Sequence, residues 1–125
     1  MKRKILVVDD SSLARRLSRK FLEEMGYEVE EAPGGAEALE QYALGQHDLV
    51  ILDMLMTGMY GLEVLHKLKE LNPSLPVIIA TADIQRSTRD QVKAGGAAAM
   101  VNKPLNKDEL AEILELVWTG GTLWN

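Results

Sequence analysis

Short apolar runs recur along the chain at a regular interval, each too brief for a helix and each closed by turn-forming or polar residues. Residues 5–8, 49–52 and 77–80 are continuous and rich in β-branched side chains, and residues 97–101 form a weaker fourth run. Runs of this kind predict strands buried on both faces. Residues 27–31 are a fifth candidate, with Val29 the one strong strand former, which predicts an edge strand. Amphipathic segments lie between these runs. Leu13, Leu17, Phe21 and Met25 share one predicted helical face, ended by Gly26. Ala36, Leu39 and Ala43 make a second stripe that ends near Gly45, and Leu62, Leu65, Leu68 and Leu71 a third, stopped by Asn72-Pro73. Residues 84–94 are more polar and end at Gly95-Gly96. Leu110, Ile113, Leu114 and Val117 form the last stripe, entered through Asn106 or Asp108 as cap. Strand and helix thus alternate five times with short connections, the pattern of a parallel sheet covered by helices on both faces.

A length of 125 residues suits one domain. We expect it over residues 1–118, with 119–125 as a short tail whose Leu123-Trp124 reads as a frayed end. One Phe, three Tyr and two Trp leave the core to aliphatic side chains. A net charge of −5 opposes a nucleic-acid footprint, which needs clustered Lys and Arg. The absence of cysteine excludes disulfides, thiolate catalysis and Cys-ligated metals. The apolar part of the N-terminus is too short for a secretory signal, and no run reaches the length of a membrane span. The expectation is a soluble, cytoplasmic protein with neither nucleic acid nor membrane as partner. His47 and His66 lie away from the strand exits and read as surface residues.

In open α/β sheets ligands bind beyond the carboxyl ends of the strands, where strand order reverses. The first predicted strand runs into Asp9-Asp10, the third into Asp53, the fourth into Thr81, and the fifth into Asn102-Lys103-Pro104. Three carboxylates at one rim repel each other, and a hard divalent cation relieves that repulsion. Mg²⁺ suits the site because it takes few protein oxygens and keeps room for a phosphoryl oxygen. A carboxylate in such a site can act as the nucleophile, and phosphoryl transfer then needs chiefly positioning and charge stabilisation. Lys103 can pair with the anions as a point cation, and the Thr81 hydroxyl can donate a hydrogen bond. Each piece has a plainer reading alone. Asp9-Asp10 before Ser11-Ser12 can cap a helix, Asp53 and Lys103-Pro104 can serve turns, and Thr81 is a strand former. Their conjunction at four strand exits, in order, favours chemistry.

The stretches at residues 5–10 (ILVVDD), 49–53 (LVILD), 77–82 (VIIATA) and 102–104 (NKP) resemble the response-regulator receiver family of the chemotaxis CheY type, over residues 3 to about 117. The resemblance implies a doubly wound five-stranded α/β fold of order 2-1-3-4-5 and a phosphoacceptor signalling domain rather than an enzyme. It implies that Asp53 is the acceptor and that Asp10, Asp53 and the backbone carbonyl of Leu55 ligate Mg²⁺, with Asp9 acting mainly through water. Thr81 and Lys103 would hold the phosphoryl oxygens. A histidine kinase or phosphotransfer protein would be the donor, an output protein the receiver of the signal, and a separate phosphatase a further partner. Two positions depart from the family: Thr57 replaces the usual proline, and Met100 replaces the usual Tyr or Phe. Three rivals remain in view. A dehalogenase-type phosphatase wants a second acid two residues after the nucleophile, where Leu55 stands. A flavodoxin-like FMN binder wants a hydroxyl-rich loop where Asp9-Asp10 stand. A receiver that only binds partners would not need the full acid set.

Overall fold

The computed structural model describes residues 2–56, 58–83 and 85–124, so the departure at Thr57 lies outside the described residues. Five strands, β1 (Lys4–Val8), β2 (Glu28–Ala32), β3 (Leu49–Asp53), β4 (Val77–Thr81) and β5 (Ala99–Asn102), alternate with five helices. The helices are α1 (Ser12–Glu24), α2 (Gly35–Gly45), α3 (Gly61–Leu71), α4 (Arg86–Ala94) and α5 (Lys107–Trp118). All strand pairs are parallel, in the order β2-β1-β3-β4-β5, as the resemblance implied. β2 is an edge strand, as its composition suggested.

Side-chain alternation along the strands divides the core into two layers. Leu6, Val8, Val50, Leu52, Val77 and Ile79 meet α2, α3 and α4 through Ala38, Tyr42, Val64, Leu65, Leu68 and Val92. Ile5, Val7, Leu49, Ile51, Ile78 and Val101 meet α1 and α5 through Leu22, Leu110, Ile113, Leu114 and Val117. The central strands β3 and β4 are buried at every position, which accounts for their unbroken apolar runs. β2 instead alternates. Val29 and Glu31 face α1, where Arg15 Nε and Arg19 Nη1 donate to the Glu31 carboxylate at 3.2 and 2.8 Å.

The helix faces differ in part from the sequence pattern. The α5 stripe is buried throughout, and Asn106 caps that helix by accepting from the Glu109 N–H. In α1, however, Leu13 is 77% and Leu17 39% exposed, and the buried residues are Ser18 and Leu22. In α2 the buried face is Gly35, Ala38 and Tyr42 rather than Ala36, Leu39 and Ala43. His47 is also not at the surface. Its side chain is fully buried, with Nε2 2.6 Å from Glu30 Oε1, whereas His66 is exposed as expected. Residues 119–124 are not frayed. The Leu123 N–H and Trp124 Nε1 donate to the Ala98 and Ala97 carbonyls at 2.9 and 2.8 Å.

Candidate functional site

Strand order reverses between β2 and β3 on either side of β1, and the acids sit at that reversal. Asp53 is the last residue of β3, and Asp9-Asp10 follow β1 directly. Asp9, Asp10 and Asp53 bring one carboxylate oxygen each within 4.8 Å of one another, the one such acidic group among the described residues. Asp9 and Asp53 are buried and Asp10 is exposed.

Local structure fixes each acid. The Ser11 N–H donates to Asp9 Oδ1 at 2.9 Å, and Ser11 in turn caps α1 by accepting from the Ala14 N–H. Capping falls to Ser11, while Asp9 makes the turn before it. Arg15 Nη1 donates to the Asp9 carbonyl. Lys103 reaches over from the end of β5, with Nζ 2.7 Å from Asp9 Oδ2 and 3.4 Å from Asp53 Oδ2. Its backbone N–H donates to the Thr81 carbonyl, tying the fourth and fifth strand exits together, and the Lys103-Pro104 peptide is cis. Thr81 is buried at the end of β4, where its hydroxyl accepts from the Asp83 N–H at 3.0 Å. Leu55 projects into solvent.

Electrostatics follow from crowding. Burial raises the pKa of Asp53 above the ordinary carboxylate value, the charge of Asp9 adds to it, and Lys103 opposes both. Burial works against the Lys103 ammonium. The bond to Asp9 and the charges of Asp53 and Asp9 outweigh it, so the Lys103 pKa lies above its usual value. Two of the three acids, Asp9 and Asp53, therefore share one ammonium at short range. That donor set is oxygen-only and anionic, with buried and exposed members, and fits a hard divalent cation that keeps part of its water.

Gly61 is a positioning residue that the sequence pattern did not single out. A Cβ there would lie 2.5 Å from the Asp53 carbonyl oxygen and 2.7 Å from Met54 Cα, so only glycine lets α3 begin against the chain that carries Asp53. Its N–H donates to the Met54 carbonyl at 2.8 Å. The run of methionines after Asp53 packs inward, with Met56 buried and Met54 and Met59 against the same core layer. Asp83 is engaged at the start of α4, accepting from the Gln85 N–H and the Thr88 hydroxyl.

A five-stranded parallel sheet of this order is a doubly wound α/β fold with its acids where strand order reverses. The model of the family described as "Response regulator receiver domain" matches residues 5–115, and the chain belongs to that family. It is thus a CheY-like receiver domain of two-component signalling, a signalling module rather than a conventional enzyme. It is similar to sporulation initiation phosphotransferase F of Bacillus subtilis, 34% identical over 92% of this chain and 93% of that protein. It is 38% identical to the sensor protein EvgS of Escherichia coli over 85% of this chain and 9% of that protein. The chain therefore spans nearly all of one curated relative and a small fraction of another. Among solved structures, chemotaxis protein CheY4 of Vibrio cholerae superimposes with a TM-score of 0.88 at 31% identity, covering 92% of this chain and 98% of that one. No helix among the described residues is long and apolar enough to cross a membrane.

Proposed function

We propose that the domain accepts a phosphoryl group on Asp53 from a phosphohistidine donor and signals by phosphorylation-dependent docking on a partner protein. The observation that carries this reading is the buried Asp53 carboxylate, crowded by Asp9 and Asp10 and held 3.4 Å from the Lys103 ammonium. A raised pKa makes Asp53 a better nucleophile than an ordinary carboxylate. Its oxygen attacks phosphorus as the bond from phosphorus to the donor's imidazole nitrogen breaks, and that nitrogen takes a proton from water. Lys103 stays beside the accepting oxygen as a fixed positive charge, and Thr81 turns its hydroxyl to a phosphoryl oxygen. Asp9, Asp10, Asp53 and the Leu55 carbonyl would hold Mg²⁺. When bound, the metal neutralises the acids and the charge on the transferring oxygens.

Receiver domains take their phosphoryl groups from histidine kinases or phosphotransfer proteins, and the surface beside Asp53 suits such a donor. A cavity of about 770 Å³ opens between α1 and the segment that follows β5, and is lined by Leu13, Leu17, Leu105, Lys103 and Asp53. The exposed leucines of α1 supply apolar contact area at its mouth for a donor helix, with Arg16 and Lys20 beside them. Acetyl phosphate with Mg²⁺ tests the acceptor. Intact-mass measurement should show one added phosphoryl group on the wild type and none on Asp53→Asn. Labelling of Asp53→Asn to the wild-type extent would refute the assignment.

A further inference from the structure

The stretch after α5 leaves that helix by a reversal that its two glycines make possible. The Gly120 N–H donates to the Val117 carbonyl and the Gly121 N–H to the Leu116 carbonyl, at 3.0 and 3.1 Å. Together with a φ of +84° at Gly120 they close the helix as a Schellman motif. A Cβ on Gly121 would lie 2.6 Å from Leu116 Cδ1. The chain then runs back toward α4 and the entry to β5, where Leu123 and Trp124 make the two bonds to the Ala98 and Ala97 carbonyls. Leu123 packs against both core layers, and Trp124 against the layer that contains Met100 and Val92. The Arg89 guanidinium of α4 lies over the Trp124 ring, 4.9 Å from its centroid.

A continuous set of contacts joins this aromatic anchor to the phosphoacceptor site. The Thr81 hydroxyl accepts from the Asp83 N–H, and the Asp83 carboxylate accepts from the Gln85 N–H and the Thr88 hydroxyl at 3.0 and 2.6 Å. Thr88 stands in the first turn of α4, one residue before Arg89. The Thr81 oxygen pivots about its Cα–Cβ bond. Reaching for a phosphoryl oxygen on Asp53 therefore carries it away from the Asp83 amide or drags that amide along. Either motion changes the set of bonds that holds the first turn of α4, which carries the cation over Trp124.

We infer that Gly120–Trp124 is a strap that covers the face formed by α4 and the start of β5 in the unphosphorylated protein and is released when Asp53 carries a phosphoryl group. The inference rests on Asp53 being the acceptor. Release would uncover the Ala97 and Ala98 carbonyls and the Met100 layer, a surface complementary to a partner segment with an aliphatic and an aromatic side chain. Met100 is small and flexible where the family has a ring. In this chain the ring at that layer comes from Trp124.

Fluorine NMR on the full chain carrying 5-fluorotryptophan tests the strap. Trp118 and Trp124 give two resonances, assigned by loss of one in Trp124→Phe. Trp118 is the internal reference, because its Nε1 donates to the Tyr27 hydroxyl and Arg3 covers its ring. Beryllofluoride with Mg²⁺ mimics the phosphoryl group, and its protein-bound fluorine signal reports occupancy of Asp53 in the same spectrum. The Trp124 resonance should move on occupancy and gain the H₂O/D₂O isotope shift of an exposed indole, while Trp118 stays in place. Arg89→Ala should expose Trp124 before any beryllofluoride is added. A bound fluoride signal with Trp124 unmoved, or with both resonances moved alike, overturns the strap. Trp124 as protected in Arg89→Ala as in the wild type overturns the route through α4. Absence of any bound fluoride signal instead refutes the acceptor reading on which the inference rests.

Discussion

Replacing Asp53 by Asn should stabilise the metal-free protein, although it removes the group on which the proposed chemistry depends. Asp53 and Asp9 bring carboxylate oxygens within 4.8 Å of each other. At an effective dielectric of about 20, two unit charges at that separation repel by about 3 kcal/mol. Lys103 at 3.4 Å from Asp53 returns an attraction of about 5 kcal/mol on the same scale, which offsets one such repulsion but not two. Burial and a third acid, Asp10, add to the unfavourable side, and the raised pKa of Asp53 gives the sign of the balance. The charged carboxylate costs the folded state more than it gains. Two acid repulsions less the one attraction leave a net stabilisation of about 1–2 kcal/mol for Asp53→Asn at neutral pH, or about 3–6 °C in melting temperature for a domain of this size. The pH dependence has a definite direction. With the folded pKa above the unfolded one, the penalty is absent below the usual carboxylate pKa. It grows as the pH rises from there to the folded value and is constant above it. The advantage of the variant should therefore fade in acid. The assay is thermal unfolding with chelator across pH 3 to 8, repeated with Mg²⁺, which should raise the wild-type midpoint by mass action and the variant's less. A variant that melts at or below wild type at neutral pH without metal, or whose advantage persists in acid, refutes the crowded-acid argument.

Two further substitutions probe the surroundings of the acceptor. Leu55, 64% exposed two residues past Asp53, offers no hydrogen bond to an attacking water. Leu55→Asn should shorten the phosphoryl half-life severalfold, a barrier change of about 1 kcal/mol, measured by decay after removal of the donor, and an unchanged or slower decay contradicts it. Gly61→Ala places a methyl group against the backbone of Asp53 and Met54, neither of which can yield without moving the site. It should destabilise by about 2–3 kcal/mol and slow labelling by acetyl phosphate, read by chemical denaturation and intact mass; wild-type stability would show that α3 can shift aside freely.

The alternation of buried strands and amphipathic helices was legible in the sequence because each signal is local. An apolar run such as residues 49–52 can be satisfied only by burial on both faces, and a residue that ends such a run must stand at a sheet rim. That is why Asp9, Asp10, Asp53, Thr81 and Lys103 could be grouped before any coordinates, and why the structure finds all five at strand exits. Strand order came from the family resemblance, since several orders bury the same runs. The faces of the helices were less legible. Residues four apart drift by roughly 40° per step around a helix, so the stripe from Leu13 to Met25 winds away from any single plane. Only packing decided that Leu22 enters the core while Leu13 faces the groove beside Asp53. His47 is buried because Glu30, distant in sequence, supplies an oxygen to its ring, a pairing set by the register of β1 with β2 and β3. Gly61 and Trp124 were hidden for the same reason. One is fixed by the backbone of another element passing within van der Waals contact, the other by two carbonyls at Ala97 and Ala98. Local patterning carries burial and periodicity, whereas close approach and long-range hydrogen bonding exist only once the chain has folded back on itself.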